Sequence, residues 1–174
     1  MPTIHLVEGP VGAGKSTFAA QLGLAHSAPR LILDEWMATL FRPDRPETDV
    51  VTWYLERKRR CIEQIWSLAC DFVEAGTNVV LELGLIQRQD REELYGRVDA
   101  AGYELVVHVL DAPEAVRRER VRRRNVEQGS TFQMVVSDEI FERASGLWQP
   151  PDEGECAERE IRFVSTGGRV EVEP

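Results

Sequence analysis

A phosphate-binding motif near the start of the sequence constrains this chain more than any other feature. Residues 9–16 read GPVGAGKS, the complete pattern G-x-x-x-x-G-K-[ST], directly after the apolar run 4–7. The motif acts through backbone geometry, because its glycines let successive N–H groups converge on phosphates at the positive end of the helix that follows. The sequence therefore predicts a strand, a tight loop and a helix in this order.

Three side chains at the end of the motif complete the predicted site. Lys15 neutralises phosphate charge, and Ser16 offers its hydroxyl to Mg²⁺, a hard cation that takes one or two protein oxygens and keeps most of its waters. Thr17 follows within reach of the α-phosphate. The residues predicted to hold the nucleotide are Gly9, Pro10, Val11, Gly12, Ala13, Gly14, Lys15, Ser16 and Thr17.

Length, composition and charge limit what surrounds this loop. The 174 residues, 43% of them hydrophobic, suit a single domain over 1–174 with a sizeable core. The net charge of −9 argues against a nucleic-acid or anionic-membrane surface. We therefore expect a nucleotide and a small molecule as ligands, with no nucleic-acid or membrane partner.

The cysteines and the first residues indicate the compartment. Cys61, Cys70 and Cys156 show neither metal-ligand spacing nor the paired arrangement of secreted disulfide frameworks. No run of 18 apolar residues occurs, and the first residues lack the basic and apolar regions of a signal peptide. The sequence thus predicts reduced thiols in a cytoplasmic protein.

Short apolar runs alternate with longer helical patterns along the chain. This alternation is typical of an α/β fold in which a parallel sheet has helices on both faces. Helices are predicted over 48–75 and 88–101, and a third has Pro113 in its first turn. We expect an acidic loop at 150–154 and a mobile tail at 167–174. The predicted strands cover 3–8, 30–34, 78–83, 104–110 and 160–164.

Two predicted strands carry carboxylates near their ends, where ligands bind in open parallel sheets. Asp34 follows the second strand and is the candidate base for an attacking hydroxyl; alternatively, it caps a short helix that starts near Trp36. Glu82 is a single charge in the apolar third strand, and a buried carboxylate needs a partner. It is predicted to orient hydrated Mg²⁺ or a substrate hydroxyl, unless it emerges into solvent or pairs with an arginine.

An arginine cluster follows the fourth strand of this otherwise acidic chain. Guanidinium groups bind phosphates in bidentate fashion and stack on purines, so the cluster suits charge stabilisation in phosphoryl transfer. The alternative for each arginine is a solvated helix surface paired with glutamates. Together with the polar segment 125–131, the cluster predicts a lid over about 117–135. Its members are Arg117, Arg118, Arg120, Arg122, Arg123 and Arg124.

These features together resemble small P-loop kinases of the adenylate, shikimate and gluconate kinase type, nearest to the AAA_33-like branch that includes chloramphenicol phosphotransferase and the zeta toxins. The resemblance implies a three-layer fold with a five-stranded parallel sheet in the order 2-3-1-4-5. It also implies transfer of the γ-phosphoryl group of ATP to a hydroxyl of a small molecule. The likeness spans about residues 3–165 and rests on the loop 9–17, the pair 34–35, the junction 110–113 and the spacing Arg120-x-x-x-Arg124.

Several residue roles are implied by the resemblance. Asp34 would act as the base, Arg120 would lie against the adenine, and Arg124 would contact the transferred phosphate. The segment 165–167, which includes Thr166, would help frame the adenine. The resulting hypothesis assigns catalysis to Lys15, Asp34, Arg120 and Arg124, and metal binding to Ser16 and Glu82.

The acceptor is expected between Asp34, the segment 36–46, the long helix and the turn 84–91, and a hydroxylated metabolite, nucleoside, sugar or antibiotic would fit. A non-catalytic ATP-binding sensor or regulatory protein is the alternative. A GTPase is disfavoured, because the D-x-x-G pattern at 99–102 ends a helix and no N-K-x-D motif occurs. Side chains available to the acceptor are Trp36, Phe41, Arg42, Arg45, Trp53, Tyr54, Arg57, Arg88 and Arg91.

Overall fold

The computed structural model of the protein describes residues 1–128 and 135–167. The strands of its sheet are β1 (Thr3–Glu8), β2 (Arg30–Ile32), β3 (Val79–Glu82), β4 (Glu104–Asp111) and β5 (Glu160–Ser165). The helices are α1 (Lys15–Ala25), α2 (Leu33–Leu40), α3 (Val50–Glu74), α4 (Arg88–Ala101), α5 (Glu114–Glu127), α6 (Asp138–Leu147) and α7 (Glu153–Glu158). A short 3₁₀ turn covers Arg42–Asp44.

All strands of the sheet are parallel and lie in the order β2-β3-β1-β4-β5, which confirms the predicted order. The central strand β1 pairs with β3 and β4, so that Leu6 lies opposite Leu81 and Val107. Strands covered on both faces read as near-continuous apolar runs, as these do. Because the carboxyl ends of parallel strands share one edge, the register brings the phosphate loop, Asp34 and Glu82 together.

Side chains of β1 alternate between two cores on opposite faces of the sheet. Ile4 and Leu6 join the larger core, which α2, α3 and α4 cover. Val7 packs in a second core with Phe18 and Leu22 of α1. This follows from the side-chain period of two in a strand. The two cores confirm the three-layer α/β architecture.

The second strand is shorter than predicted. It ends at Ile32, and α2 begins at Leu33 rather than near Trp36. Leu33 is buried on this helix, and an acidic first turn that includes Asp34 suits the positive end of the helix dipole. The N-cap position is occupied by Ile32 without a side-chain cap, so the N-cap role considered for Asp34 is wrong.

The helices α6 and α7, which lie between α5 and β5, are missing from the sequence prediction. The predicted acidic loop at 150–154 is correct only in part, because α7 begins inside it at Glu153. The Asp152 side chain accepts a hydrogen bond from the Glu155 amide at 2.9 Å, and Glu155 Oε2 accepts one from the Asp152 amide at 3.3 Å. Ser137 caps α6 by accepting a hydrogen bond from the Ile140 amide at 3.2 Å. Both caps are recognised helix-start signals, but the helices bury too few apolar residues to show a clear period.

Two sequence predictions fall on segments outside the described residues. The lid over 117–135 includes residues 129–134, and the tail at 167–174 includes residues 168–174. Both therefore stay predictions. No helix in the described part of the chain combines the length and apolar character needed to cross a membrane.

Candidate functional site

The phosphate loop requires glycine at two positions where it passes close to neighbouring backbone. Gly9 has φ +146°, and a Cβ there would lie 2.4 Å from the carbonyl oxygen of Leu110 at the end of β4. Gly12 has φ +78°, and its Cβ would lie 2.6 Å from the carbonyl oxygen of Arg117 in α5. Both clashing atoms belong to the backbone, which cannot move aside as a flexible side chain could. The loop is thus built against β4 and α5.

Lys15 lies across this loop. Its Nζ donates hydrogen bonds to the carbonyl oxygens of Gly9 at 3.0 Å and Pro10 at 3.1 Å. An ammonium group has three donors and can exchange such partners for phosphate oxygens. The predicted phosphate-neutralising side chain is therefore held at the loop itself.

Ser16 and Glu82, the two predicted metal ligands, contact each other. Ser16 Oγ donates a hydrogen bond to Glu82 Oε1 at 3.2 Å, and Glu82 is 6% exposed. Glu82 Oε2 has no partner among the described residues, and no arginine pairs with Glu82 within them. Burial raises the pKa of this carboxyl to about 7, assisted by Asp34, while Lys15 lowers it. The alternative of a solvated Glu82 is therefore wrong, and no arginine among residues 1–128 and 135–167 provides the other alternative.

A hydroxyl and a carboxylate oxygen are ligands that Mg²⁺ accepts, usually with waters completing its shell. The unpartnered Oε2 of Glu82 is the atom that a hydrated cation would satisfy. The Ser16 hydroxyl beside it ends the phosphate loop. The residues present thus fit the predicted metal site.

Asp34 reaches the same edge of the sheet from β2. The strand pairs with β3 so that Ile32 lies opposite Glu82, and Asp34 follows in the first turn of α2. It is exposed, and its charge raises the pKa of both Glu82 and Tyr54. Asp34 is thus an accessible carboxylate beside the phosphate loop.

Arg120 and Thr166 form one hydrogen-bonded unit beneath the loop. Arg120 Nη1 donates to Thr166 Oγ1 at 3.0 Å, and Nη2 donates to the Thr166 carbonyl oxygen. Thr166 Oγ1 lies 2.7 Å from the carbonyl oxygen of Ala13, and the Thr166 amide donates to the Asp111 carbonyl oxygen at 2.8 Å. The structure therefore joins two residues that the sequence connects only through the family resemblance.

Arg124 lies one helical turn after Arg120 and is half-buried. Its Nε has no partner among the described residues. Burial lowers the pKa of this guanidinium, whereas the carboxylates of Asp34 and Glu82 raise it. The side chain therefore offers a cation toward the carboxylates at the strand ends.

Arg117 has a role that the sequence did not reveal. It is 8% exposed, and its Nε donates to the Ala112 carbonyl oxygen at 3.1 Å. Its Nη1 donates to the Val11 carbonyl oxygen and to Ser145 Oγ, both at 3.0 Å. Arg117 thus braces the phosphate loop from behind. Nothing in the sequence distinguishes it from its neighbours in the cluster.

The other arginines of the cluster form surface ion pairs. Arg118 contacts Glu114 at 2.8 Å and Glu142 at 3.2 Å. Arg122 Nη2 lies 2.9 Å from Asp138 Oδ2. Such exposed pairs contribute little stability. The alternative of a solvated helix surface is correct for these members of the cluster.

A cavity of about 920 Å³ brings the candidate residues together. Its lining includes every residue of the predicted site except Pro10 and Ala13, whose carbonyl oxygens contact Lys15 and Thr166. The cavity extends past Asp34 to Tyr54 and to a residue not singled out from the sequence, Lys58 of α3. One space therefore connects the phosphate loop with the region expected for the acceptor.

Only part of the expected acceptor set lines this cavity. Tyr54 does, whereas Arg91 is fully buried in a bidentate ion pair with Glu155 at 2.8 and 2.9 Å. Arg88 pairs on the surface with Glu92 and Asp152. The sequence expectation for Arg88 and Arg91 is therefore wrong, because partners distant in sequence engage both guanidinium groups. The residues that the cavity lining also leaves out are Trp36, Phe41, Arg42, Arg45, Trp53 and Arg57.

Glu8 is a further buried charge that sequence reasoning missed. It ends β1 immediately before the loop and is 0% exposed, and neither carboxylate oxygen has a partner of normal geometry among the described residues. Burial raises the pKa of this carboxyl to about 8, while Lys15 and Arg91 lower it. The sequence feature that could have revealed Glu8 is a charged residue at the end of an otherwise apolar strand.

Several solved structures share the fold of this chain, and they include two that are described as kinases. A candidate kinase from Chloroflexus aurantiacus is 18% identical, with a TM-score of 0.71 over 95% of this chain and 86% of that chain. A gluconokinase from Sinorhizobium meliloti is 19% identical, with a TM-score of 0.60 over 97% and 85% of the two chains. Kti12 from Chaetomium thermophilum, solved in complex with ADP-AlF3, is 14% identical, with a TM-score of 0.69 over 94% and 89%.

Sequence comparison identifies the family. No curated protein sequence matches the chain. The family model AAA_33, described as an AAA domain, matches residues 4–159 and so covers most of the chain, including the phosphate loop, Asp34, Glu82 and the arginine helix. The chain therefore belongs to the AAA_33 family and has the fold of P-loop kinases.

Proposed function

We propose that the protein is an ATP-dependent kinase that transfers the γ-phosphoryl group to a hydroxyl of a small molecule. The observation that carries the proposal is that one cavity is lined by the phosphate loop, the exposed carboxylate of Asp34 and the half-buried side chain of Arg124. Phosphoryl transfer needs this combination of phosphate positioning, a proton acceptor and charge stabilisation. The fold shared with a gluconokinase supports the same reaction class.

Nucleotide binding would use groups that already converge on the loop. The loop amides and Lys15 would hold the phosphates. Arg120, anchored by Thr166, would pack against the adenine, since guanidinium groups stack on aromatic faces. Ser16 and Glu82 would hold Mg²⁺, which neutralises phosphate charge when bound.

The chemical step assigns one task to each remaining side chain. The acceptor hydroxyl oxygen forms a bond to the γ-phosphorus while the bond from that phosphorus to the bridging oxygen of ADP breaks. Asp34 takes the hydroxyl proton. Arg124 stabilises the charge on the transferred group, and this interaction is strongest in the transition state.

The test is an ADP-release assay with Mg²⁺ and ATP, run with and without pools of hydroxylated metabolites, nucleosides, sugars and antibiotics. The Lys15→Ala variant is the control for contaminating kinases. We expect an acceptor-dependent rise in ADP release that the variant lacks, together with a new phosphorylated mass. Tight ATP binding without product from any pool would favour a sensor or regulatory protein instead. A preference for guanine nucleotides in binding would contradict the choice of ATP.

A further inference from the structure

Two residues on successive turns of α3 line the same cavity as the phosphate loop. Tyr54 and Lys58 are spaced i and i+4, so they share one face of the helix. Both line the cavity together with Asp34. Burial, and to a lesser degree the Asp34 carboxylate, raises the pKa of Tyr54 to about 12. The phenol therefore stays a neutral hydrogen-bond donor in the cavity that also contains the candidate base.

The cations of the cavity differ in what they contact. Lys15 donates to loop carbonyl oxygens, and Arg120 donates to Thr166. Arg123 Nε lies 3.8 Å from Glu127. Lys58 is half-buried and forms neither a hydrogen bond nor an ion pair with any described residue. The ammonium group of Lys58 therefore has its hydrogen-bond donors available for a ligand that enters the cavity.

Part of the cavity lining is apolar. Leu83 and Ile86, which follow β3, and Leu33 of α2 line it with Tyr54 and Lys58. Small-molecule sites typically combine such apolar lining with a few polar groups that fix orientation. Beside these apolar side chains, Lys58, Tyr54 and Asp34 supply a cation, a phenol and a carboxylate.

We propose that Tyr54 and Lys58 are the acceptor-binding residues, and that the acceptor carries an anionic group, a carboxylate or a phosphate, in addition to the hydroxyl that is phosphorylated. This proposal rests on the proposed function. Lys58 binds the anionic group, Tyr54 donates a hydrogen bond to the acceptor, and the apolar walls contact its carbon skeleton. The hydroxyl is then directed to Asp34. A neutral acceptor leaves Lys58 buried beneath it without a partner, which selects against neutral compounds.

Binding probes test this without requiring turnover. The phosphate loop is first saturated with Mg²⁺ and a non-hydrolysable ATP analogue. Two sets of compounds that share a carbon skeleton are then titrated: glycerate, glycerol 3-phosphate and glycerol, and gluconate, glucose 6-phosphate and glucose. We expect saturable binding of an anionic member of at least one set, with the neutral member at least 10-fold weaker, the loss of about one charged hydrogen bond. The anionic member that binds distinguishes a carboxylate from a phosphate.

Variants connect the preference to the residues. Lys58→Met should weaken binding of the anionic probe by about 10- to 100-fold and leave affinity for the ATP analogue unchanged. Lys58→Arg should restore most of the affinity, and Arg59→Met, at an exposed position on the same helix, should change nothing. Tyr54→Phe should weaken binding by a smaller factor.

The proposal is overturned if no anionic probe binds the wild type, if the neutral members bind equally well, or if Lys58→Met binds the anionic probe like the wild type. It fails independently of the kinase assignment. Lys58-dependent anion binding without any phosphorylated product would sink the proposed function alone, whereas phosphorylation of a neutral acceptor at equal kcat/KM in Lys58→Met would sink this inference alone.

Discussion

Replacing Arg117 with methionine tests whether the arginine helix braces the phosphate loop. The wild-type side chain is 8% exposed and donates to the carbonyl oxygens of Ala112 and Val11 and to Ser145 Oγ. Methionine has a similar length but no donor, so the buried carbonyl oxygen of Ala112 and the partly buried carbonyl oxygen of Val11 lose this partner. Each lost buried partner costs about 1–3 kcal/mol, so we expect the free energy of unfolding to fall by about 3–5 kcal/mol.

The assay is urea unfolding followed by linear extrapolation, with and without Mg²⁺ and ATP. Arg122→Met is the matched control, because Arg122 lies on the same helix in an exposed pair with Asp138 and should contribute at most about 1 kcal/mol. Since Val11 belongs to the loop, Arg117→Met should also reduce the stabilisation that nucleotide provides. A loss equal to that of Arg122→Met, or an unchanged nucleotide effect, would refute the bracing role.

Four further substitutions give separate expectations. Asp34→Asn should lower kcat by about 10²–10⁴ with ATP affinity nearly unchanged, and a normal kcat in steady-state assays would remove Asp34 from the mechanism. Arg124→Ala should reduce the single-turnover rate more than ATP binding; a pure binding defect would contradict its transition-state role. Glu8→Gln should gain stability relative to the wild type as pH rises from about 4.5 to about 8, because the wild-type unfolded chain releases a proton there that the folded chain retains. That gain is about 1.4 kcal/mol per unit of pKa shift at most. A difference in the free energy of unfolding between the two proteins that stays constant across this pH range in urea unfolding would disprove it. Glu155→Ala should lower the free energy of unfolding by about 3–5 kcal/mol, since it leaves the fully buried Arg91 cation without its carboxylate, and a loss under 1 kcal/mol in urea unfolding would show that the pair is not a structural clamp.

The fold follows closely from local sequence patterns. The apolar runs of β1, β3 and β4 and the loop at 9–16 define the strand–loop–helix core, and the family resemblance supplies the correct strand order. The errors occur where the apolar pattern is absent or does not distinguish a strand from a helix. At β2, Leu33 begins a helix instead of extending the strand, and α7 depends on the Asp152–Glu155 capping box rather than on an apolar period.

The candidate site could be predicted only where residues lie at strand ends or in a motif. Lys15, Asp34 and Glu82 have such positions, and the cavity joins them. Side chains whose role depends on distant partners carry no comparable signal. Arg91 forms an ion pair with a glutamate 64 residues away, while Lys58 forms no hydrogen bond or ion pair with any described residue and lines the cavity. Both are cationic residues within a helix, so the sequence alone does not separate their roles.

The central claim is that ATP gives its terminal phosphoryl group to an acceptor hydroxyl in this cavity. The most direct measurement uses ATP with an isotope-labelled γ-phosphoryl group and pooled acceptors, and follows the label by mass spectrometry. We predict label in a phosphate ester of one acceptor with the wild type, little with Asp34→Asn and none with Lys15→Ala. Label that stays in ATP, or that appears only in inorganic phosphate at the same rate with and without acceptors, would contradict the account.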